Sequence, residues 1–165
     1  MIETKRLILR PGMINDIKDV MEFRNTDFVL KYNCMNLASE QEVFQEISKS
    51  FVLYEKKLKK VIGILSIHQD DLRYGVKSMC LSYYMNEKYT RKYYMSEAID
   101  KVMDELFKLG CDVVSARVFI ENDASKGLLK KLGFKHEGTL KHAVRGYKGI
   151  IHDDCLFSKV KENIE

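Results

Sequence analysis

The sequence contains no tryptophan, only one proline and no C-x-x-C pair. Its cysteines, at positions 34, 80, 111 and 155, lack the spacing of a zinc or redox motif. We therefore expect reduced thiols and no metal in a cytoplasmic protein. No apolar run approaches the roughly 20 residues that cross a bilayer, and the first residues lack the apolar stretch of a signal peptide. These absences argue against disulfide-stabilised, zinc-binding and membrane proteins.

The composition is ordinary for a globular protein, with 45% hydrophobic and 32% charged residues. A length of 165 residues predicts one domain, spanning residues 1–165, with a sizeable core. The net charge of +4 suits an anionic ligand such as a nucleotide cofactor. That charge is too small and too scattered to indicate nucleic acid as a partner.

Periodic apolar positions predict an alternation of strands and helices. Strands are expected at residues 5–10, 51–55, 60–68, 78–86, 112–120, 134–144 and 150–160. Helices are expected at residues 14–21, 40–50 and 95–107 and between Asn122 and Gly133, whereas residues 25–38 should be irregular. The order β-α-α-β-β-β-α-β-α-β-β predicts an α/β fold, a mixed and twisted sheet of about seven strands with helices on both faces.

A stretch beginning at Asn122 reads N-x-x-S, a short amphipathic helix, L-G-F, x-x-E-G and a His-Asp pair. This pattern resembles the C-terminal half of the GNAT superfamily of N-acetyltransferases. Within the superfamily it is similar to the branch that acetylates alanine or serine N-termini of ribosomal proteins. The resemblance implies acetyl-coenzyme A as co-substrate, no metal, and transfer of its acetyl group to a primary amine.

Residues 90–98, T-R-K-Y-Y-M-S-E-A, align with the turn that holds the pyrophosphate of the cofactor in this family. Tyr93 and Met95 replace small residues of the family pattern, so they either point outward or crowd the phosphates. Two adjacent cations compensate in part. The resemblance assigns cofactor binding here to Arg91, Lys92, Tyr93, Tyr94, Met95 and Ser96.

The resemblance also places a pantetheine-binding strand end at Tyr83, Tyr84 and Met85. Asn122 would bond a pantetheine amide, and Ser125 would support the departing thiolate, which makes these two the candidate catalytic residues. Each has a plainer alternative role in capping the following helix.

No dedicated base is evident. The family's acidic or tyrosine positions are occupied here by Cys80, Arg117, Leu129 and Val144. The remaining candidates are Glu137, His142, His152 and Asp153. We expect the proton of the amine to leave through an ordered water molecule, held by backbone carbonyls or by His142, His152 or Asp153.

The family builds its acceptor pocket from segments that correspond to residues 23–36, 40–51 and 145–151. These segments do not identify the amine. A protein or peptide N-terminal α-amine is the leading expectation, and a polyamine or an aminoglycoside is the alternative. A non-catalytic acyl-coenzyme A binding module or a self-associating scaffold also remains open, as does the choice between monomer and homodimer. No nucleic acid or membrane partner is expected.

Overall fold

The computed structural model of the chain describes residues 1–162. Eight strands form one sheet in the order β1-β2-β3-β4-β5-β6-β8-β7. All neighbouring strands are antiparallel except β5 and β6, which are parallel. The strands are β1 (Ile2–Glu3), β2 (Leu7–Pro11), β3 (Phe51–Glu55), β4 (Lys60–Gln69), β5 (Ser78–Met85), β6 (Val113–Phe119), β7 (Lys135–Arg145) and β8 (Ile151–Val160).

Five α-helices cover the sheet: α1 (Ile17–Met21), α2 (Asp27–Leu30), α3 (Glu40–Ile47), α4 (Tyr94–Lys108) and α5 (Asp123–Lys131). One apolar cluster joins α4 and α5 to one face of the sheet, and a second joins α1, α2 and α3 to the opposite face. The α/β class and the helices on both faces are therefore confirmed. None of the helices formed by residues 1–162 is long and apolar enough to span a lipid bilayer.

Two local details differ from the expectation. The sheet has eight strands rather than about seven, because Ile2–Glu3 adds a short edge strand whose two residues are too few to show alternation. Residues 25–38 are not wholly irregular, since Thr26 caps the single-turn helix α2.

The strands β5 and β6 separate halfway along the sheet. They pair through only four residue positions, which end at Leu81 opposite Ala116. Both strands continue beyond this point, to Met85 and Phe119 respectively. The sheet therefore contains a wedge-shaped opening whose walls are the ends of β5 and β6. Because each strand leads into a helix, this opening lies beside the first residues of α4 and α5.

Glu97 attaches the start of α4 to the N-terminal strands. Its carboxylate accepts from the Thr4 hydroxyl at 2.6 Å, the Arg6 backbone N–H at 2.8 Å and the Arg6 guanidinium at 2.6 Å. Burial alone would raise the pKa of Glu97, but these bonds outweigh it and lower the pKa below the ordinary 4.5. A lowered pKa in the folded state stabilises the fold above pH 4.5, and the effect is lost as the pH falls.

Glu97→Gln is expected to lower the free energy of unfolding by about 2 kcal/mol at pH 7, because charge-assisted bonds become neutral ones. The difference from the wild type should shrink as the pH falls below about 4.5. Urea unfolding at pH 7, 5 and 3.5 measures both effects. The control is Glu105→Gln, which removes exposed ion pairs with Lys101 and Lys108 on the same helix and should change little. A pH-independent deficit in Glu97→Gln would contradict this account.

Candidate active site

A groove passes through the wedge between β5 and β6 from one face of the sheet to the other. It encloses about 1140 Å³, enough for a ligand of cofactor size. We call it the cross-sheet groove. Its walls come from α2, the end of β5, the segment that enters α4, and the first turns of α5. The lining residues are Phe28, Val29, Tyr32, Asn33, Tyr83, Tyr84, Met85, Glu87, Tyr89, Thr90, Arg91, Tyr93, Tyr94, Met95, Ser96, Asn122, Asp123, Ala124, Ser125, Gly127, Leu128 and Lys131.

The segment that enters α4 has the backbone conformation that glycine usually supplies. Arg91 has φ of 59° and Tyr93, the residue before the first turn of α4, has φ of 63°. Left-handed residues at a helix start direct successive backbone N–H groups toward one point, next to the positive end of the helix dipole. Each such non-glycine residue costs about 1 kcal/mol or more of backbone strain. The arrangement is suited to an anion such as a pyrophosphate.

Tyr93 and Met95, the two bulky residues of this segment, do not block the groove. The Tyr93 side chain is 65% exposed and points outward, with the Lys131 ammonium 5.1 Å from its ring centroid. Met95 is only 5% exposed and belongs to the apolar core. Between them Tyr94 packs under the Arg6 guanidinium, 4.1 Å from the ring. The segment therefore keeps the backbone conformation that glycine usually supplies. The Tyr93 side chain projects toward solvent and the Met95 side chain projects into the core.

Of the eleven residues predicted to contact the cofactor or the reacting groups, ten line the cross-sheet groove. The exception is Lys92, whose side chain turns toward Tyr89, 5.5 Å from the ring, and whose carbonyl accepts from Arg6. Lys131, at the end of α5, lies in the lining and provides a cation at the same mouth of the groove as Arg91.

Asn122 and Ser125 meet at the start of α5. Asn122 is the N-cap, and its side-chain oxygen accepts from the Ser125 backbone N–H at 3.1 Å. Asn122 therefore has the predicted capping role. Ser125 takes part in the cap only through its backbone N–H, so its hydroxyl is available to other partners. It donates to the Tyr83 hydroxyl across the wedge at 3.0 Å. Burial raises the pKa of Tyr83 to about 12, although the bond to Ser125 opposes the rise. Tyr83 is therefore a neutral phenol that can also donate to Ser125.

On the opposite face of β5, Tyr84 belongs to a polar cluster. Its hydroxyl donates to Glu46 of α3 at 2.5 Å, and the other Glu46 oxygen accepts from Arg24 at 2.9 Å. Arg24 is 6% exposed and donates a further bond to the Asn36 carbonyl. Burial and the neighbouring Glu46 carboxylate both raise the pKa of Tyr84 well above its usual value. The sequence offered no signal for this cluster, because its residues come from segments far apart in the chain.

None of the four base candidates from the sequence lies in the lining of the groove. His152 stacks on Phe119 at 4.3 Å and its Nδ1 is 3.2 Å from Glu121. Asp153 pairs with Lys141 at 2.8 Å and accepts from the His142 backbone N–H. Glu137 is held by Arg73 and by the Ser158 hydroxyl. These contacts engage the side chains of Glu137, His152 and Asp153 in structural roles, whereas His142 contributes only its backbone N–H to them.

A smaller cavity of about 230 Å³ lies on the α3 side of the sheet, below the groove. Both arginines that line it are paired, Arg73 with Asp70 at 2.5 Å and Arg117 with Asp154 at 2.6 Å, and Asp71 also lines it. Burial raises the pKa of Asp154, although Arg117 opposes the rise. Within residues 1–162 no three His, Cys, Asp or Glu side chains are grouped as ligands for a metal ion.

The three segments predicted to form the acceptor pocket differ in how much they contribute to the lining of the groove. The first contributes Phe28, Val29, Tyr32 and Asn33 directly. The second reaches the groove only through Glu46, which contacts Tyr84. Residues 145–151 do not line it, but the Cys34 thiol donates to the Arg145 carbonyl at 3.6 Å. That contact links the segment after α2 to the turn between β7 and β8, on the acceptor side of the wedge.

Comparison with known proteins identifies the family. A family model described as an acetyltransferase (GNAT) domain matches residues 6–135. The chain is 30% identical over 173 residues to the uncharacterized N-acetyltransferase YoaA of Bacillus subtilis, with 97% of this chain and 96% of that protein covered. The chain belongs to the GNAT family of acetyltransferases, and it is an acetyl-coenzyme A-dependent N-acetyltransferase.

Solved structures share this fold. A GNAT-family acetyltransferase from Bacillus anthracis superposes with a TM-score of 0.87 at 22% identity, covering 98% of this chain and 99% of that one. A ribosomal-protein-S5-alanine acetyltransferase from Vibrio fischeri superposes with a TM-score of 0.81 at 20% identity, covering 99% and 97%. At these identities the two structures show that the fold is shared.

Proposed function

We propose that this N-acetyltransferase modifies the N-terminal α-amine of a protein or peptide, using acetyl-coenzyme A bound in the cross-sheet groove. The observation that carries the proposal is the groove itself. It joins an anion-binding helix start on one side of the sheet to an aromatic pocket under α2 on the other. A donor and an acceptor that enter from opposite faces would meet between the ends of β5 and β6.

In this proposal the left-handed segment at Arg91 and Tyr93 holds the pyrophosphate of the cofactor through backbone N–H groups. Lys131 lies at the same mouth and is placed to meet a further phosphate. The separated end of β5 offers backbone groups to the pantetheine amides, as an added strand would. The Asn122 amide nitrogen, which has no hydrogen-bond partner among residues 1–162, would donate to the same ligand.

The Ser125 hydroxyl is the proposed hydrogen-bond donor to the sulfur atom as it leaves. Ser125 already bonds Tyr83, and a hydroxyl pair of this kind can reverse its donor and acceptor. Once Tyr83 donates to Ser125, the Ser125 proton is free to turn toward a developing thiolate. Because burial raises the pKa of Tyr83 to about 12, the phenol keeps its own proton throughout.

The acceptor class follows from proton chemistry. An amine attacks only when it is neutral, and α-amino groups have pKa values near 8 against about 10.4 for lysine. At pH 7 roughly a tenth of an α-amine is neutral, whereas less than about a thousandth of a lysine is. An enzyme without a strongly basic group at its acceptor site therefore favours the α-amine. The resemblance to the ribosomal-protein branch supports the same choice.

The test uses two peptides of matched sequence and a thiol-release assay. One has a free N-terminal alanine and no lysine; the other has a blocked N-terminus and one internal lysine. The proposal expects faster acetylation of the first peptide. Faster acetylation of the blocked peptide, or turnover only with polyamines or aminoglycosides, would overturn the α-amine assignment. Cofactor binding without thiol release for any amine would identify a binding module instead.

Tyr93→Gly provides a test of the cofactor loop. Because the Tyr93 side chain lines the groove but is 65% exposed, its removal clears no buried obstruction, and glycine at a φ of 63° removes backbone strain. We expect acetyl-coenzyme A affinity that is unchanged or weaker, with thermal stability unchanged or slightly higher. Calorimetry and thermal unfolding measure the two quantities. Binding several-fold tighter than that of the wild type would mean that the tyrosine crowds the ligand after all.

A further inference from the structure

The end of β5 places two tyrosines on opposite faces of the sheet, because successive residues of a strand alternate in direction. Tyr83 packs in the cluster formed with α4 and α5, and Tyr84 packs in the cluster formed with α1 and α3. The Tyr83 phenol bonds Ser125, and the Tyr84 phenol bonds Glu46 and also interacts with Arg24. Both tyrosines line the cross-sheet groove at the narrow point of the wedge.

We infer that Tyr84 and Glu46 accept the proton of the acceptor amine, with Arg24 holding the carboxylate in place. This inference rests on the proposed acetylation of an amine in the groove. It assigns a proton acceptor where the family positions carry none and where the four sequence candidates lie away from the groove.

The proton balance is simple. The ammonium of the acceptor donates to the Tyr84 oxygen, and as that proton transfers, the Tyr84 proton moves along its existing bond to Glu46. Tyr84 is neutral before and after, and Glu46 becomes a neutral acid that later returns the proton to solvent. The free amine then attacks the thioester carbonyl carbon. The carbon–sulfur bond breaks, and the second amine proton reaches the thiolate on the Ser125 side.

The surroundings of the pair favour a relay over simple ionisation. The charged and titratable groups that face it are Arg24, which bonds Glu46, and Glu42, which interacts with Arg24 from the first turn of α3. Arg24 holds the Glu46 carboxylate in place, and the raised pKa of Tyr84 means that a free tyrosinate does not form. A concerted transfer of both protons keeps the Tyr84 phenol neutral and so avoids the negative charge of a tyrosinate. The Phe23 ring, with its centroid 6.0 Å from that of Tyr84, holds the phenol in position.

The experiment compares Tyr84→Phe and Glu46→Gln with wild type over pH 6 to 10, using the peptide with a free N-terminal alanine. Tyr84→Phe keeps both the ring contact with Phe23 and the Arg24–Glu46 ion pair, so it remains informative if Glu46→Gln folds poorly. Tyr54→Phe is the matched control. Tyr54 packs in the same cluster as Tyr84 but contacts Arg10 and lies outside the groove. Calorimetry with acetyl-coenzyme A provides a readout that does not depend on turnover.

Both relay variants should lose about 10-fold in kcat/KM at pH 7, because they can use only the roughly one tenth of the α-amine that is already neutral, while their acetyl-coenzyme A affinity stays within about threefold of wild type. The loss should shrink as the pH rises past the α-amine pKa near 8, because a neutral amine needs no proton acceptor. A loss of equal size at every pH would mean a structural role and overturn the relay, as would wild-type activity in either variant. No turnover by the wild type itself with any amine would overturn the proposed function and the relay together.

Discussion

Ser125→Ala is expected to lower kcat by about 100-fold, because the leaving sulfur loses its hydrogen-bond donor on the α5 side of the wedge. Affinity for acetyl-coenzyme A should stay within a few-fold, since the helix cap uses the Asn122 side chain and the Ser125 backbone, and neither changes. Thiol-release kinetics and calorimetry measure the two quantities on the same preparation. Tyr83→Phe removes the phenol that supports Ser125 and should lose less, about 10-fold.

The control for this pair is Ser48→Ala, whose hydroxyl bonds only the Gln45 carbonyl at the end of α3. It tests whether loss of any serine hydroxyl slows the enzyme. A Ser125→Ala enzyme with a normal kcat would show that the thiolate leaves without help. A rise in KM for acetyl-coenzyme A with an unchanged kcat would instead place Ser125 in ground-state binding.

Gly12→Ala is expected to destabilise the fold by about 3 kcal/mol. A methyl group at this position would lie 2.6 Å from the Ile47 Cβ and 2.9 Å from the Ile47 carbonyl oxygen. The same carbonyl accepts the Gly12 N–H at 2.8 Å, so separating the two backbones also weakens that bond. Because Ile47 ends α3, the helix that carries Glu46, the substitution should reduce activity at temperatures where the protein remains folded.

Urea unfolding gives the stability change, and Gly138→Ala is the matched control because nothing lies within 4 Å of the added methyl. The control should be close to neutral. If Gly12→Ala proves as stable as wild type, α3 must be able to shift away from the β2 end without cost. Activity would then show whether that shift also separates Glu46 from Tyr84.

The sequence predicted the helices and strands in which the periodic pattern of apolar residues extends over many positions. The helix at residues 95–107 and the strand at residues 112–120 appear as α4 and β6 with small changes at their ends. It did not predict β1 or α2, because two or four residues carry no measurable period. Of these, α2 matters most, since Phe28 and Val29 lie in it and Tyr32 and Asn33 follow it, and all four line the acceptor end of the groove.

The site was predicted unevenly for a physical reason. Residues near the cofactor end sit in two contiguous motifs, and all but Lys92 line the groove. The acceptor side depends on contacts between distant segments, such as Glu46 with Tyr84, which are 38 positions apart. No local pattern encodes such a meeting. The sequence therefore offered only single acidic or histidine residues as bases, and none of these lines the groove.

The short ladder between β5 and β6 also has a mechanical consequence. Four pairs of residues join a five-stranded plate, β1 to β5, to a three-stranded plate, β6 to β8. The Ser125–Tyr83 bond of 3.0 Å crosses the open side of this hinge, because Tyr83 belongs to the first plate and Ser125 to the helix that follows β6. An increase in the angle between the plates would lengthen that bond, and it would also disturb the apolar cluster that contains residues of both plates. The distance between the Ser125 and Tyr83 hydroxyl oxygens therefore reports how far the wedge is open.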